Sequence, residues 1–585
     1  MLAASLLALA VAAPASAAGT WSAAAALNTA PNKDASTPTV ATDATGTSTA
    51  VWVRSLDDSV GSAIVEVATR PAGGAWSAPQ TLSTGTDQTA SLPRVSAAAD
   101  GTVAIIWLQS GIKDDPSAWA TVRRPGQAWD EPTRLSAPEA DEPQIAIRPD
   151  GRVIALWSID WAEGTAVESA STRAGGGWNR TEALTEPGTW GSFPSLAVGA
   201  DGTAVAAWVD YDDATGQPTA NTAILPAGET TWDPEQTVSD PAEYGTFPAV
   251  TVADGTPTVV WQERTDNPRY ARNQLFTSDL VAGEWTEAVA LTAYDEQANH
   301  QDAVLTTDAA GNQTVAWLWT AYSGNPTAGE AATVDTMQVA TRAAGTKTWS
   351  APLSVATEPP NATLRHVALA TRADGSSVLG WAGYVDAAKR NKLIRVAVRE
   401  GFAGAWSEPA TLSGPGGTSS SQMSWDIGLA AGPKELTAVW HANATSGLIG
   451  VQASTWVPAP PVVVEPEPTA TPEPTPATPL PTVVPTATPG PPTPGTTVTP
   501  APAKRTPIRL TARWAKGRLA LSLTGLTKTS KLQVKVPGRT AALKATGTKI
   551  TVAARYAKTG RKLTVRVTDA SGRYVATRTV RVPRR

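Results

Sequence analysis

The chain has no cysteine among its 585 residues, so neither disulfides nor thiolate metal sites are available and its stability has to come from packing. Histidine is nearly as scarce: His300, His366 and His441 stand far apart, which leaves no histidine-rich metal motif. After the first residues no run approaches the ~20 continuous apolar residues of a membrane helix, so no transmembrane segment is expected. No LPxTG sorting signal followed by an apolar tail occurs, which argues against covalent wall anchoring. Acid is almost missing from the last segment. Between Lys504 and Arg585 there are 22 Lys and Arg against one acid, Asp569, a net of +21. The 585 residues also exceed what one hydrophobic core usually supports, so more than one unit is expected.

What is present is a tryptophan repeat. One series closes an apolar strand, as in AVWV, IIWL and ALWS: Trp52, Trp107, Trp157, Trp208, Trp261, Trp317, Trp381 and Trp440. The other opens a strand after a glycine-containing turn, as in GGAWSAPQTLS: Trp21, Trp76, Trp129, Trp178, Trp232, Trp285, Trp349 and Trp406. Together they take 16 of the 23 tryptophans. Each unit reads as four short strands. In the second these are PRVSAAA, TVAIIWLQ, AWATVRR and WDEPTRLS, with the hairpin dipeptide Asp100-Gly101 between the first two. Four-stranded units of ~50 residues repeated in tandem make a β-propeller.

The ends of the array set the count. TWSAAAALN is an orphan fourth strand before the first unit, and the last unit stops after a third strand, GVQASTW. Spliced together they complete one blade. The expectation is an all-β chain: an eight-bladed propeller over 18–456 closed by its N-terminal strand, a Pro/Thr-rich linker over 457–503, and a small basic β-sandwich over 504–585 with an immunoglobulin-like pattern of about six alternating runs. Proline and threonine supply 28 of the 47 linker residues, which makes it an extended spacer. The start, MLAASLLALAVAAPASAAGTW, has the apolar run and A-x-A pattern of a signal peptide cleaved near Ala17, so residues 1–17 are expected to be removed and the chain secreted.

The tryptophan hairpin resembles the Asp-box (BNR-like) repeat of sialidases and related secreted bacterial propellers. Thr69, Gly73 and Trp76 fit its pattern, as do Ser171, Gly175 and Trp178, while Pro71 and Arg173 stand where the aspartate belongs. The resemblance implies the propeller fold, with the box structural and away from the active face. A sialidase-like activity would further require an arginine cluster, a tyrosine nucleophile assisted by a glutamate, and an aspartate acid/base. Arg70, Arg123, Arg173, Arg342 and Arg399 recur at one place in the blade and read as scaffold. Arg94 and Arg365 open inner strands, in LPRVSA and LRHVALA, without a third partner. Glu243 and Tyr244 are neighbours, which on a strand point apart. No catalytic residue is assigned.

Specificity is expected in what does not repeat, the loops between second and third strands and the links between blades. The aromatics there, Trp161, Trp190, Tyr211, Tyr244, Tyr270, Trp319, Tyr322, Tyr384 and Trp425, joined by Tyr294, lie among carboxylates and amides and are the candidate ligand-binding set for sugar rings. No cofactor is expected. The run DYDDATG at Asp210 to Gly216 leaves Ca2+ open through carboxylates of several blades, although Ala214 and Thr215 break the helix-loop-helix calcium pattern. The functional expectation is a recognition or scaffold protein whose propeller binds extracellular glycans or cell-wall polymers. Its basic 504–585 segment would adhere to polyanions or dock on the propeller, which carries 25 basic and 48 acidic residues. No nucleic-acid motif accompanies that charge. The alternative is a diverged sialidase-like glycoside hydrolase.

Overall fold

The computed structural model describes residues 19–458, without 29–33, 57–61, 84–87, 112–113, 162–163, 174–175, 186–188, 212–216, 241–242, 265–271, 324–331, 385–391, 414–425 and 444–448, together with the strand backbones between 509 and 581. Each tryptophan unit is one antiparallel sheet whose strands follow chain order. In blade 2 the inner strand Gln88–Ala97 pairs with Val103–Gly111, then Ser117–Arg123, then the two-residue outer strand Thr133–Arg134. The inner hairpin turns at Asp100-Gly101, where Gly101 has φ +90° and Asp100 Oδ1 accepts the Thr102 N–H at 2.8 Å. Glycine tolerates that left-handed conformation without a Cβ penalty.

The eighth sheet is assembled from both ends of the array. Thr20–Trp21 and Ala25–Ala26 pair with Ile449–Val457, which pairs with Leu436–Asn443 and then the inner strand Ile427–Ala431. Each inner strand touches the inner strand of the next blade, and the eighth touches the first, so the eight sheets close into a propeller ring.

Burial explains the first tryptophan series. All eight members are wholly buried, each between two blades. Trp107, for example, packs on Val51, Val65 and Val67 of blade 1, and Trp157 on Ile106 and Leu108 of blade 2. Removing 150–250 Å² per indole from water is worth roughly 4–6 kcal/mol at about 25 cal/mol per Å². The fate of the indole N–H differs from blade to blade: Trp52 donates to Glu66 (3.1 Å), Trp157 to Glu168 (3.0 Å) and Trp317 to His300 Nδ1 (3.0 Å), while Trp208 and Trp440 find no acceptor among the described residues.

The second series is mostly half-buried on the outer hairpin, and there it meets the recurrent arginines. The guanidiniums of Arg123, Arg342 and Arg399 lie over Trp129, Trp349 and Trp406 at 4.8–5.2 Å. Arg342 also pairs with Asp279 (2.7 Å) and Arg70 with Glu435 (2.6 Å), both across blade boundaries. These arginines are scaffold. In the hairpin itself the Gly74 N–H closes onto the Pro71 carbonyl at 2.9 Å. Because the outer strand is so short, a Ser or Thr hydroxyl past its end takes over the pairing. Ser83, Ser136, Ser239 and Ser413 accept the N–H of Val65, Ala118, Ala220 and Ile394 at 2.8–2.9 Å.

The chain divides into two compact units, Met1–Glu467 and Pro468–Arg585. The second contains two antiparallel sheets. One is Arg509–Ala515, Arg518–Thr524 and Lys549–Ala553; the other is Leu543–Thr546, Lys531–Lys535, Lys562–Thr568 and Tyr574–Arg581. Seven strands form where the sequence suggests six runs, since Leu543–Thr546 is too short to display its own alternation. The expected leader (1–17) and all but the first two linker residues lie outside the described residues.

Candidate functional site

The inner strands share a register break, and it builds the site. Between Ser36 and Thr39, Ser91 and Arg94, Asp141 and Gln144, Ser192 and Ser195, Thr246 and Ala249, Gln301 and Val304, and Arg365 and Ala368, two residues stand opposite the single core tryptophan of the second strand, one more than the ladder accommodates. The first of each pair is left-handed: Thr37, Leu92, Glu142, Phe193, Phe247, Asp302 and His366 have φ between 46° and 56°. Such a backbone costs a non-glycine residue about 1–2 kcal/mol. Blade 8 departs from this pattern: Ile427 pairs directly with the core Trp440, and Asp426 immediately precedes it. The second residue is proline in blades 1 to 5: Pro38, Pro93, Pro143, Pro194 and Pro248. Proline has no N–H to offer a ladder and therefore suits an inner edge strand that no further strand covers.

A bulge bends its strand and re-aims a side chain. Here it does so in seven blades, near the end of the inner strand that follows the inter-blade link, so seven bulge side chains ring one end of the central channel and Asp426 of blade 8 joins them beside His366. The backbone geometry repeats and the chemistry does not. On one side Phe193 and Phe247 pack ring to ring, with centroids 4.7 Å apart and planes tilted by 52°. Both stay exposed, at 39% and 45%, and Trp190, three residues before Phe193, is 51% exposed. Beside them Glu142 Oε2 accepts the Phe193 N–H (2.5 Å) and the Ser158 hydroxyl (3.2 Å), and burial pushes its carboxyl above the ordinary range.

The opposite sector, from blades 6 to 8, is charged. His366 Nδ1 lies 3.8 Å from Asp426 Oδ1. Burial pushes the His366 imidazole pKa down, against the attraction of Asp426 and Asp302 and with the repulsion of Arg365 and Arg94. Asp302 is pushed up by burial, with Arg365 and His366 opposing. Desolvation also lowers the Arg94 guanidinium, which feels Asp426. Arg94 and Arg365, without a partner in the sequence, thus share one electrostatic environment with His366, Asp302 and Asp426. Two guanidiniums, an imidazole and two carboxylates offer hydrogen-bond donors and acceptors in a partly desolvated setting.

The loop aromatics are distributed over blades 3 to 7 at the ends of strands on this same side. Tyr244 begins the inner strand of blade 5 beneath the Arg264 guanidinium (4.4 Å), and Tyr322 lies beneath Arg272 (4.1 Å). Tyr211 and Tyr384 end second strands and are half-buried. Trp319 packs against the core formed by Val260, Leu275 and Trp317. Trp190 presents its ring to solvent while its N–H donates to Asp210 Oδ1 (3.1 Å). Trp161 closes the strand Val153–Trp161, but its side chain, like Tyr270 and Trp425, lies outside the described residues. So does the run from 212 to 216. Among the described residues no group of three or more His, Asp and Glu side chains is placed to hold a metal ion.

Sequence reasoning missed the ring because its residues share no chemistry. A positional signal was nevertheless present: an X-Pro dipeptide whose proline precedes the core tryptophan by fourteen residues in blades 1 to 4 and by thirteen in blade 5.

No family model matches the chain, and no curated protein matches it. Among solved structures it is similar to a lectin from Burkholderia pseudomallei, with 13% identity over 65% of this chain and 100% of that one and a TM-score of 0.42. It is also similar to the β-propeller domain of a trilobed protease from Pyrococcus furiosus (12% identity, 66% and 99% covered, TM-score 0.38). A sialidase from Streptococcus pneumoniae matches at 9% identity over 48% of this chain and 65% of that one, with a TM-score of 0.30.

Proposed function

We propose that the propeller is a recognition domain that binds a glycan at the channel mouth ringed by the inner-strand bulges. The observation that carries this reading is the division of the ring into an aromatic sector, Phe193 and Phe247, and a charged sector, Asp302, His366 and Asp426 with Arg94 and Arg365. A pyranose has an apolar C–H face and a rim of hydroxyls, so it needs a stacking surface beside convergent donors and acceptors. Glycan-array binding by the full chain is expected to give discrete hits that weaken in Arg365→Ala; a blank array would refute the reading.

A second reading, a sialidase-like hydrolase, is favoured by one feature: Asp302, held protonated to higher pH by burial beside Arg365, has the character of an acid catalyst. Turnover of fluorogenic glycosides that disappears in Asp302→Asn would establish it in place of binding alone.

For the C-terminal unit the reading is adhesion to anionic cell-envelope polymers. Register places Lys531, Lys535, Lys562, Arg566 and Arg581 on one face of its larger sheet, with threonines between them. The expected outcome is retention of the full chain on purified cell walls, abolished by high salt. Secretion belongs to the same reading, and N-terminal sequencing of chain recovered from medium would then begin at Ala18.

A further inference from the structure

Blade 2 carries a cavity that no other part of the account uses. It has a volume of about 420 Å³, within the roughly 300–1,000 Å³ of small-molecule sites, and it is lined from the start of the inner strand (Gln88), the end of the second strand (Gln109, Gly111) and the third strand (Ser117, Trp119). Cross-strand register explains its walls. Gln109 and Trp119 share the face of the core Trp107, because Trp119 is directly opposite Trp107 and Arg134 directly opposite Trp119. In blade 1 the position opposite the core tryptophan holds Glu66, which ties up Trp52 and Arg54. In blade 2 an indole takes that place and the polar atoms are routed elsewhere.

The routing has a direction. Trp107 Nε1 donates to Gln109 Oε1 (2.9 Å), and Gln109 Nε2 donates to Gln88 Oε1 (2.5 Å). The chain of donors therefore ends on the Gln88 amide nitrogen, a donor at the cavity wall with no protein acceptor among the described residues. Arg134 spends its Nε on the Ser136 carbonyl (2.9 Å) and keeps its terminal nitrogens at the same wall. Facing these donors are two exposed carboxylates, Asp114 and Asp115, without a hydrogen-bond donor among the described residues. Gly111 is what admits the first: a Cβ there would lie 2.3 Å from Asp114 Oδ2.

We propose that this cavity is a second carbohydrate site, specific for a neutral hexose unit. Among the described residues two carboxylate acceptors against one guanidinium disfavour an anionic ligand, and paired acceptors with an opposing amide donor match vicinal hydroxyls, while the Trp119 indole supplies an apolar wall. The site shares no residue with the channel mouth.

The test is saturation-transfer NMR on the full chain with three probes, the methyl glycosides of glucose, galactose and mannose. At least one should receive saturation, and its binding should weaken about tenfold or more in the double variant Asp114→Ala/Asp115→Ala, as expected for loss of hydrogen bonds to charged acceptors. Both side chains are exposed, so the thermal midpoint should not move and misfolding is checked in the same sample. Gly111→Ala, which displaces Asp114 without removing it, should weaken binding in the same direction. Absence of transfer to all three glycosides, or transfer undiminished in the double variant, would overturn the proposal.

Discussion

His300 makes the stability of blade 6 depend on pH in a way that can be worked through. Its imidazole is 6% exposed and accepts the Trp317 indole N–H at Nδ1, 3.0 Å away. An accepting Nδ1 carries no proton, so charging the ring means breaking that bond inside the core. Burial lowers its pKa from 6.5 to about 4. The unfolded chain therefore takes up a proton between pH 6.5 and 4 that the folded chain refuses, and stability falls as pH falls through that window. A shift of that size is worth about 3 kcal/mol once pH lies below 4. Glu263 works in the opposite sense: burial raises its carboxyl to about 6, so its cost is relieved on acidification through the window from 6 to 4.5. Wild type alone would thus report a difference of the two. Urea unfolding of wild type and His300→Gln at pH 7 and pH 4.5 separates them, because glutamine keeps an acceptor for the indole and does not titrate. Wild type should lose about 2–3 kcal/mol more than the variant between the two pH values. Parallel losses in both proteins would refute the assignment of a neutral, indole-bonded His300.

Further expectations follow from packing. Trp157→Ala should cost about 3–5 kcal/mol in denaturant unfolding, because the indole fills the space between blades 2 and 3. Ser83→Ala leaves the buried Val65 N–H without its acceptor and should cost about 1–3 kcal/mol, read as a lower thermal midpoint. Gly383→Ala would put a Cβ 2.3 Å from the Thr363 carbonyl oxygen and 2.9 Å from Leu364 Cα, so a loss of about 1–3 kcal/mol is expected even though only one methyl is added.

The architecture was legible in the sequence because its causes are local and repeated. The Asp-Gly turns, the apolar run ending in tryptophan and the orphan TWSAAAALN strand each specify one element, and eight copies make the register unambiguous. The recurrent arginines could be read as scaffold for the same reason, and their stacking on Trp129, Trp349 and Trp406 agrees with it. The site was not legible in that way. Thr37, Leu92, Glu142, Phe193, Phe247, Asp302 and His366 have nothing in common as residue types, and only the bulge shows that they are equivalent. Phe193 and Phe247 lie more than fifty residues apart, and their 4.7 Å contact depends on how blades 4 and 5 pack side by side. Trp319 shows the converse. It reads as a surplus loop aromatic in the sequence, yet register leaves it packed on the blade 6 core.

The central claim is that the aromatic and charged sectors of the ring hold one ligand. A double-mutant cycle tests it most directly: affinity of the strongest array glycan for the full chain, for Phe247→Ala, for Arg365→Ala and for the combination. One site spanning both sectors predicts that each single change weakens the same glycan and that the double variant abolishes its binding. Variants that affect different glycans, or leave affinity unchanged, would contradict it.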